Sequence, residues 1–220
     1  MKPRVLLAFL FCALSACHVK GQALEPFVNV GLSESFFDTH SADEESVCHI
    51  GPKIGAGIKV PLNQWHNLFF EPSLAVVSKG DVYKADKAGG RVSFTLWYLE
   101  TQVDFIYRVR IGSHWRIPLG TGLYGAYGIG SKVSATNDIT WFRGIPVAES
   151  PSMFSDIIGA NRWDVGWRMF TVGAEYRQFM FRLDFEAGFL SQFSCRMPHN
   201  YGEDNDGKNI TMSCSLGYSF

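Results

Sequence analysis

Residues 209–220 read Asn209-Ile210-Thr211-Met212-Ser213-Cys214-Ser215-Leu216-Gly217-Tyr218-Ser219-Phe220. Every second side chain is apolar, and each residue between them is small or polar. A β-strand turns successive side chains to opposite faces, so this stretch predicts a strand with one apolar and one polar face. Such a strand is typical of a membrane β-barrel, where the two faces meet lipid and lumen in turn.

The same alternation recurs upstream and predicts seven further strands. Five of them are regular, and their apolar faces begin at Val28, Ile54, Leu68, Trp115 and Phe181. Two are less regular, near Val92–Val109 and Trp163–Tyr176. In these two the apolar positions change from even to odd after Tyr98 and from odd to even after Met169, which indicates a β-bulge in each strand.

The connections between the predicted strands are long and short in alternation. The long, polar ones are Asp38–His49, Lys79–Gly90, Ser131–Arg162 and Phe193–Lys208, and the short ones are Pro61–Asn67, Arg110–His114 and the turn around Arg177–Phe179. Outer-membrane barrels sort their loops in this way, with short turns on the periplasmic side. We therefore predict an all-β fold over residues 24–220, an eight-stranded antiparallel up-and-down transmembrane β-barrel. A soluble barrel is the alternative, but its outer face should carry more charge.

The composition agrees with a protein that faces something other than water. Only 19% of the 220 residues are charged, which is low for a soluble surface of this size, and the formal net charge is −1. That balance provides no electrostatic footprint for DNA or RNA, so nucleic acid is not expected as a partner. After the first residues no run of eighteen apolar residues occurs, so helical membrane spans are not expected.

The beginning of the chain is typical of an export signal. Lys2 and Arg4 precede the apolar run Val5–Ala16. We expect a signal peptide over residues 1–23, cleaved after Ala23, and an address in the bacterial outer membrane. Leu14-Ser15-Ala16-Cys17 resembles a lipobox, so lipidation of Cys17 remains the alternative.

Charged residues of both signs lie on the polar faces of the predicted strands and would meet in the lumen. They are Lys53, Lys59, Glu71, Glu100, Asp104, Arg108, Arg116, Asp164, Arg168, Arg182, Asp184 and Glu186. An eight-stranded barrel is only wide enough for side chains to fill it, so these charges are expected to pair and to plug the lumen. A narrow path for a solute or for protons through the same residues is the alternative.

Several short motifs resemble the PorT-like outer-membrane β-barrel proteins of Bacteroidetes. Tyr98-Leu99-Glu100 is similar to the start of that family's Tyr-Leu-Glu-Ile-Pro motif, although Thr101-Gln102 replaces the last two residues. Three other stretches are similar to the family's later strands: Leu119–Gly125, Asp164–Gly166 and Ala187–Phe189. The resemblance implies a barrel in the outer membrane, with one branch of the family assisting protein secretion.

The terminal strand also resembles the C-terminal signal of outer-membrane proteins, which ends in an aromatic residue. Tyr218 and Phe220 are the residues expected to be read by the barrel-assembly machinery. Phe220 can at the same time anchor the strand at the membrane interface.

Three cysteines follow the predicted signal peptide: Cys48, Cys195 and Cys214. Cys48 ends the first long loop and Cys195 begins the fourth, and these loops are neighbours when the first strand pairs with the eighth. A Cys48–Cys195 disulfide is one expectation, and three free thiols are the alternative.

The leading functional hypothesis is a structural or interaction barrel without enzymatic activity, presenting its external loops to a partner or ligand. Loop Ser131–Arg162 is the longest and mixes apolar with turn residues, so we expect it to pack over the barrel mouth or to meet a protein partner. A narrow, porin-like solute channel and an accessory role in protein secretion are the alternatives. We assign no catalytic residue, metal site or cofactor, because the histidines lie in loops and turns without a nucleophile motif.

Overall fold

The computed structural model describes residues 24–38, 46–85, 90–136, 140–141, 145–146, 152, 154, 160–192 and 207–220. The predicted signal peptide and Cys195 lie outside these ranges. The strands are β1 (Glu25–Asp38), β2 (Ser46–Pro61), β3 (Leu68–Ala85), β4 (Gly90–Ile111), β5 (Trp115–Thr136), β6 (Thr140–Trp141), β7 (Ile145–Pro146), β8 (Trp163–Tyr176), β9 (Phe179–Ser191) and β10 (Lys208–Ser219). Among the described residues no helix is long and apolar enough to cross a membrane.

Eight of the described strands close into one barrel, in the order β1-β10-β9-β8-β5-β4-β3-β2. Each is antiparallel to both of its neighbours, and β10 closes the barrel by pairing with β1 from Phe27↔Ser219 to Asp38↔Lys208. β6 and β7 form a separate two-stranded sheet within the connection between β5 and β8. The predicted all-β fold, an eight-stranded antiparallel up-and-down barrel, is confirmed.

The two faces of the barrel wall differ in chemistry, as the alternation in β10 predicts. Leu216 is 63% exposed on the outside, whereas its neighbour Ser215 is 3% exposed on the inside. The outer face of the other strands is likewise apolar, and it includes Val28, Val30, Leu32, Ile54, Leu74, Phe105, Leu119, Leu123, Trp167 and Leu183. The polar side chains of each strand are therefore turned toward the lumen.

The β-bulge predicted after Tyr98 in β4 is wrong. Phe94, Leu96 and Tyr98 are buried, and so is every second residue from Glu100 to Arg108, so the alternation in β4 is unbroken. What changes after Tyr98 is the chemistry of the lumen. Its inward side chains are apolar or aromatic toward the long loops and mostly charged or polar toward the short turns.

The irregularity at this level lies in the neighbouring strand. Trp97 and Tyr98 pair with Gly130 and Gly128 of β5, so Ile129 is the extra residue. A β-bulge inserts one residue in this way and bends the strand that carries it.

The bulge predicted in β8 is confirmed. Arg168 and Phe170 pair with the consecutive residues Glu186 and Phe185 of β9, so Met169 is the extra residue. Met169 and Phe170 are both exposed on the outside. Beyond this bulge the inward positions of β8 change from even to odd numbers.

At the long-loop end of the barrel the strands extend further than predicted. β3 continues to Ala85 and β5 to Thr136, whereas the sequence places long connections from Lys79 and from Ser131. An alternation of apolar residues predicts a strand only where one face of the strand is apolar. The polar ends of β3 and β5 have no such face, so the sequence does not predict them as strand. As a consequence, Lys79 belongs to a strand and its side chain is buried in the lumen.

At the other end the short connections are tight turns, as predicted. They comprise residues 62–67, 112–114 and 177–178. Gly112 has a φ of 67°, and His66 and Arg177 also have positive φ values of 50° and 55°. Glycine adopts this left-handed region without steric penalty, which suits Gly112 to the turn between β4 and β5.

We predict that Gly31→Ala weakens the seam that closes the barrel. A Cβ at Gly31 would lie 2.1 Å from the backbone oxygen of Cys214 and 2.7 Å from Cα of Ser215, so the backbone of β1 or β10 must move. Overpacking of this kind typically destabilises by about 1–3 kcal/mol. The matched control is Gly125→Ala, because a Cβ there meets nothing within 4 Å. Equal free energies of unfolding in urea for both variants would contradict the close packing of β1 against β10.

Candidate functional site in the barrel lumen

Charged side chains from most strands of the barrel are buried in the lumen. They are Lys53, Lys59, Glu71, Lys79, Asp81, Glu100, Asp104, Arg108, Asp164, Arg168, Glu175, Arg182, Asp184 and Glu186. All but Lys79, Asp81 and Glu175 were named from the sequence as lumenal charges. Burial of so many charges requires that they be paired and hydrogen-bonded.

Sequence reasoning missed Lys79, Asp81 and Glu175 for two different reasons. Lys79 and Asp81 lie in the segment predicted as a long loop. Glu175 lies after the bulge in β8, where the inward positions have odd numbers. Arg116 departs from the expectation in the other direction: it is only half-buried and lies opposite Arg110 across β4 and β5. In the described part of the chain no carboxylate lies within ion-pair distance of Arg116.

One set of ion pairs, the short-turn cluster, lies at the end of the barrel that carries the short turns. Its members are Glu25, Lys59, Glu71, Arg108, Glu175 and Arg182. Glu175 contacts Lys59 at 3.0 Å, Arg108 at 3.1 Å and Arg182 at 3.5 Å. Glu71 contacts Arg182 at 2.7 Å and Arg108 at 3.6 Å.

Three other contacts complete the short-turn cluster. The half-buried Glu25 accepts a hydrogen bond from Arg108 Nη1 at 3.1 Å, which joins β1 to β4. The guanidinium of Arg108 also lies 3.8 Å from the ring centroid of Phe69, and that of Arg182 lies 5.4 Å from Phe27. Cation–π contacts of this kind add to the pairing of arginines removed from water.

A second set, the central cluster, lies further toward the long loops. Its members are Lys53, Lys79, Glu100, Asp104, Asp164, Arg168, Asp184 and Glu186. Arg168 joins Asp104 at 2.6 Å to Glu186 at 2.8 Å. Lys53 contacts Asp184 at 3.5 Å and Glu186 at 3.8 Å.

An aromatic layer, which we call the cap, covers the central cluster on the long-loop side. It consists of Phe37, Val77, Phe94, Leu96, Tyr98, Tyr124, Ala126, Phe154 and Ala160. Phe154 comes from the connection between β5 and β8 and meets Tyr98 edge-on, with 6.0 Å between ring centroids. Gly128 makes room for it, since a Cβ there would lie 2.3 Å from Phe154 Cζ.

The cap is tied to the charges beneath it. Tyr124 donates a hydrogen bond to Asp164 at 3.2 Å, and Lys79 Nζ lies 4.2 Å from the ring centroid of Tyr124. Tyr98 donates to Gln192 Oε1 at 2.9 Å. Ion pairs and cap together fill the inside of the barrel much as a hydrophobic core fills a soluble protein.

Two contacts join a serine to a histidine outside this network. His49 Nε2 lies 3.1 Å from Ser78 Oγ near the long loops, and His114 Nδ1 lies 2.6 Å from Ser113 Oγ in a short turn. Ser78 is 1% exposed, so its hydroxyl is not presented to a substrate. The contact of Ser78 with His49 therefore gives no support to nucleophilic catalysis.

The structure places the other residues named from the sequence as follows. Tyr218 and Phe220 lie on the outer face with ring centroids 5.2 Å apart, and Phe220 N donates to Pro26 O at 2.9 Å. Cys48 and Cys214 form no disulfide within the described residues. Because Cys195 lies outside them, its disulfide with Cys48 stays a prediction.

The comparisons with known proteins concern the barrel alone. No protein-family model matches the chain, and no curated protein matches its sequence. Solved structures with a similar fold include Ail, the attachment invasion locus protein of Yersinia pestis, at 12% identity, with a TM-score of 0.44 and coverage of 89% of this chain and 98% of that one. They also include Neisserial surface protein A, NspA, at 14% identity and a TM-score of 0.46, with coverage of 91% and 100%. The outer membrane protein OprG from Pseudomonas aeruginosa is similar at 10% identity and a TM-score of 0.43, with coverage of 90% and 97%.

We predict that Arg182→Met strongly destabilises the barrel. It leaves Glu71 without its 2.7 Å partner and weakens the pairing of Glu175, both of which are buried. Removing one partner of a buried ion pair typically costs about 3–5 kcal/mol. Arg116→Met is the matched control, because it removes the same charge from a half-buried arginine that no described carboxylate contacts. If the free energies of unfolding of the two variants are equal, the lumen is hydrated enough to screen its charges.

Proposed function

We propose that this chain is an outer-membrane β-barrel protein with a structural or interaction role, whose lumen is plugged by charges and whose long loops face a partner or ligand. The observation that carries the proposal is the inverted polarity of the barrel, with an apolar outer face and a charged inner one. In water this arrangement would expose a large apolar surface, whereas in lipid it satisfies both faces.

The height of the apolar band supports a membrane-spanning role. Trp115 and Tyr176 form a ring contact of 4.9 Å near the short turns, and Tyr127 and Trp163 form one of 5.0 Å toward the long loops. The twelve residue steps from Trp115 to Tyr127, at about 3.3 Å each and a tilt of about 40°, span roughly 30 Å. This matches the distance between the aromatic girdles that flank the hydrocarbon core of a bilayer.

The experiment that tests this placement is refolding into lipid vesicles followed by proteolysis. The barrel strands should be protected and should migrate as a heat-modifiable folded species, and cleavage should be confined to the connections. A chain that folds to the same barrel in buffer without lipid or detergent would contradict the proposal.

A narrow, porin-like channel is the second candidate, favoured by the charged and polar side chains that line the lumen between the cap and the short turns. We predict that the purified protein in planar bilayers gives no steady conductance steps, because ion pairs and cap fill the lumen. Single-channel recording checks this. Steps whose amplitude scales with salt concentration would establish the pore and overturn the plug.

The connection between β5 and β8 is the surface we propose for a protein partner. Phe154 and Ala160 are buried in the cap, and Arg162 Nη2 donates to Phe154 O at 3.4 Å, so this segment is anchored over the barrel mouth. Residues that are already held in place lose less conformational entropy when a partner binds beside them.

Export through the signal peptide at residues 1–23 and membership of the PorT-like family belong to the same proposal. A secretion accessory would differ from a passive barrel in one testable respect. Deletion of the gene would abolish the export of surface-bound cargo in the first case and leave it intact in the second.

We predict that Phe220→Ala lowers the amount of folded protein in the outer membrane, because the terminal aromatic residue is proposed as an assembly signal. Phe189→Ala is the matched control, since Phe189 is also an exposed outward phenylalanine but lies within β9. Heat-modifiable protein in isolated outer membranes is the measurement. If the two variants lose the same amount of folded protein, Phe220 acts only as an aromatic anchor at the membrane interface and not as an assembly signal.

A further inference from the structure

A groove crosses the outer face of the barrel from β9 over β10, β1 and β2 to β3. It has a volume of about 810 Å³, and nearly all of its lining is apolar. The groove lies on the face of the wall that meets lipid if the barrel spans a membrane. Its role therefore rests on the proposed function.

The register of the strands shows how the groove is formed. Two rows of outward side chains make its walls, and neighbours within a row are register partners: Tyr218, Val28, Ala56 and Leu74 in one row, and Leu216, Val30, Ile54 and Val76 in the other. The row between them faces inward, so its backbone forms the floor; it consists of Gly217, Asn29, Gly55 and Ala75.

The side chains of these walls are short. Apart from Tyr218 at one end they are aliphatic, and Ala56 presents only a methyl group. The outer face of β4, β5, β8 and β9 is bulkier, because it carries many aromatic residues: Phe105, Trp115, Tyr127, Trp163, Trp167, Phe170, Phe181 and Phe189. The groove therefore lies where the outer side chains of the barrel are smallest.

The length of the groove is close to that of one acyl chain. From β9 to β3 it crosses four intervals between strands of about 4.8 Å each, which gives roughly 19 Å. An acyl chain of a phospholipid reaches across one leaflet, which is about half of the roughly 30 Å hydrocarbon core. Because the strands are tilted by about 40°, the groove runs obliquely through that leaflet.

The two ends of the groove lie at different depths in the apolar band. At the β9 end Phe179 and Tyr218 meet edge-on beside the short turn at 177–178, with 5.5 Å between their ring centroids. At the β3 end Leu74 lies six residues beyond the start of the strand at Leu68, about half-way through the apolar band. The groove thus leads from the aromatic girdle near the short turns to the middle of the bilayer.

A cation lies at the interfacial end of the groove. Arg177 is exposed, and its guanidinium lies 5.5 Å from the ring centroid of Tyr176. Gln178 is held beside it, because its Oε1 accepts a hydrogen bond from the Tyr218 hydroxyl at 2.8 Å. None of the three short turns contains an aspartate or glutamate. Arginine binds phosphate groups with charge-assisted hydrogen bonds, and aromatic girdles lie at the level of the lipid headgroups.

We propose that the groove binds one phospholipid from the leaflet on the short-turn side. One acyl chain lies between the two rows of side chains, with its end near Leu74 and Val76. The headgroup phosphate accepts hydrogen bonds from Arg177. This lipid stays on the barrel longer than the lipids around it, because it is held by a fitted apolar groove and by a charged group at once.

The direct test is native mass spectrometry of the folded chain. The protein is reconstituted in vesicles of phosphatidylethanolamine and phosphatidylglycerol, extracted in a mild detergent and released from it in the spectrometer. The wild type should retain one phospholipid per chain, and Ala56→Phe should lose it because the ring fills the groove. Ala174→Phe is the matched control, since Ala174 is an outward alanine on β8 that does not line the groove.

A second variant tests the headgroup contact without altering the groove. Arg177→Gln should lower the ratio of lipid-bound to lipid-free protein about tenfold, because it removes a charged hydrogen-bond donor. Arg110→Gln is its control, since Arg110 is another exposed arginine at the short-turn end, bonded to Trp65 O at 2.9 Å. Arg177 is exposed in a turn, so this variant also serves if Ala56→Phe does not fold.

A measurement in the intact bilayer separates a bound phospholipid from a bound detergent. Electron paramagnetic resonance of a phospholipid that carries a spin label on its acyl chain reports how fast lipids exchange at the protein surface. The wild type should show about one slowly exchanging lipid per chain. Ala56→Phe should lack this lipid, and Ala174→Phe should keep it.

Three results would overturn the proposal. One is a wild-type barrel that inserts into vesicles and is protected from protease but holds no slowly exchanging lipid, which leaves the membrane placement intact and removes the lipid site alone. Another is equal lipid retention by the wild type, Ala56→Phe and Arg177→Gln. The third is efficient disulfide cross-linking of two chains through Ala56→Cys, because the groove is then an interface between two copies. A chain that does not enter vesicles at all would instead contradict the proposed function.

Discussion

The structure depends on the narrowness of its lumen. A barrel of eight strands leaves an interior that side chains fill completely, so every inward residue must find a partner inside the wall. Strands β1 and β10 contribute small inward residues such as Ser33, Gly31, Ser213 and Ser215. The long cationic side chains come from the remaining strands and extend into the space left by the small ones. Between the cap and the short turns, the core is held together by pairing of charges across the lumen rather than by burial of apolar surface.

The fold could be predicted because its decisive signal is local. The alternation of apolar with small or polar side chains can be recognised within each strand by itself, and in β10 it extends over twelve residues. The same signal failed in β4, where the apolar residues Phe94, Leu96 and Tyr98 face inward. A sequence cannot distinguish a bulge from a change in what the lumen contains, because both alter the parity of apolar residues.

The composition of the site was predictable, but its connectivity was not. The alternation of inward and outward side chains along each strand placed Arg168, Asp184 and most of the other charges inside the barrel. Which carboxylate meets which cation depends on tilt and register across strands far apart in the chain, as in the contact of Lys53 with Asp184. Lys79 is the most important residue that the sequence did not place in the lumen. It has three carboxylates around it, but it lies in a polar segment where no apolar alternation indicates a strand.

The central claim is that the outer face of the wall meets lipid while the inner face meets a packed, nearly dry network of ion pairs. Spin labels placed one at a time along residues 210–216, in a chain with its native cysteines replaced and reconstituted in lipid vesicles, measure this directly. Collision with oxygen, which partitions into lipid, should be high at 210, 212, 214 and 216 and low at 211, 213 and 215. Collision with a water-soluble nickel chelate should be low at all seven positions. High accessibility to the chelate at 211, 213 and 215 would reveal a water-filled channel and contradict the account.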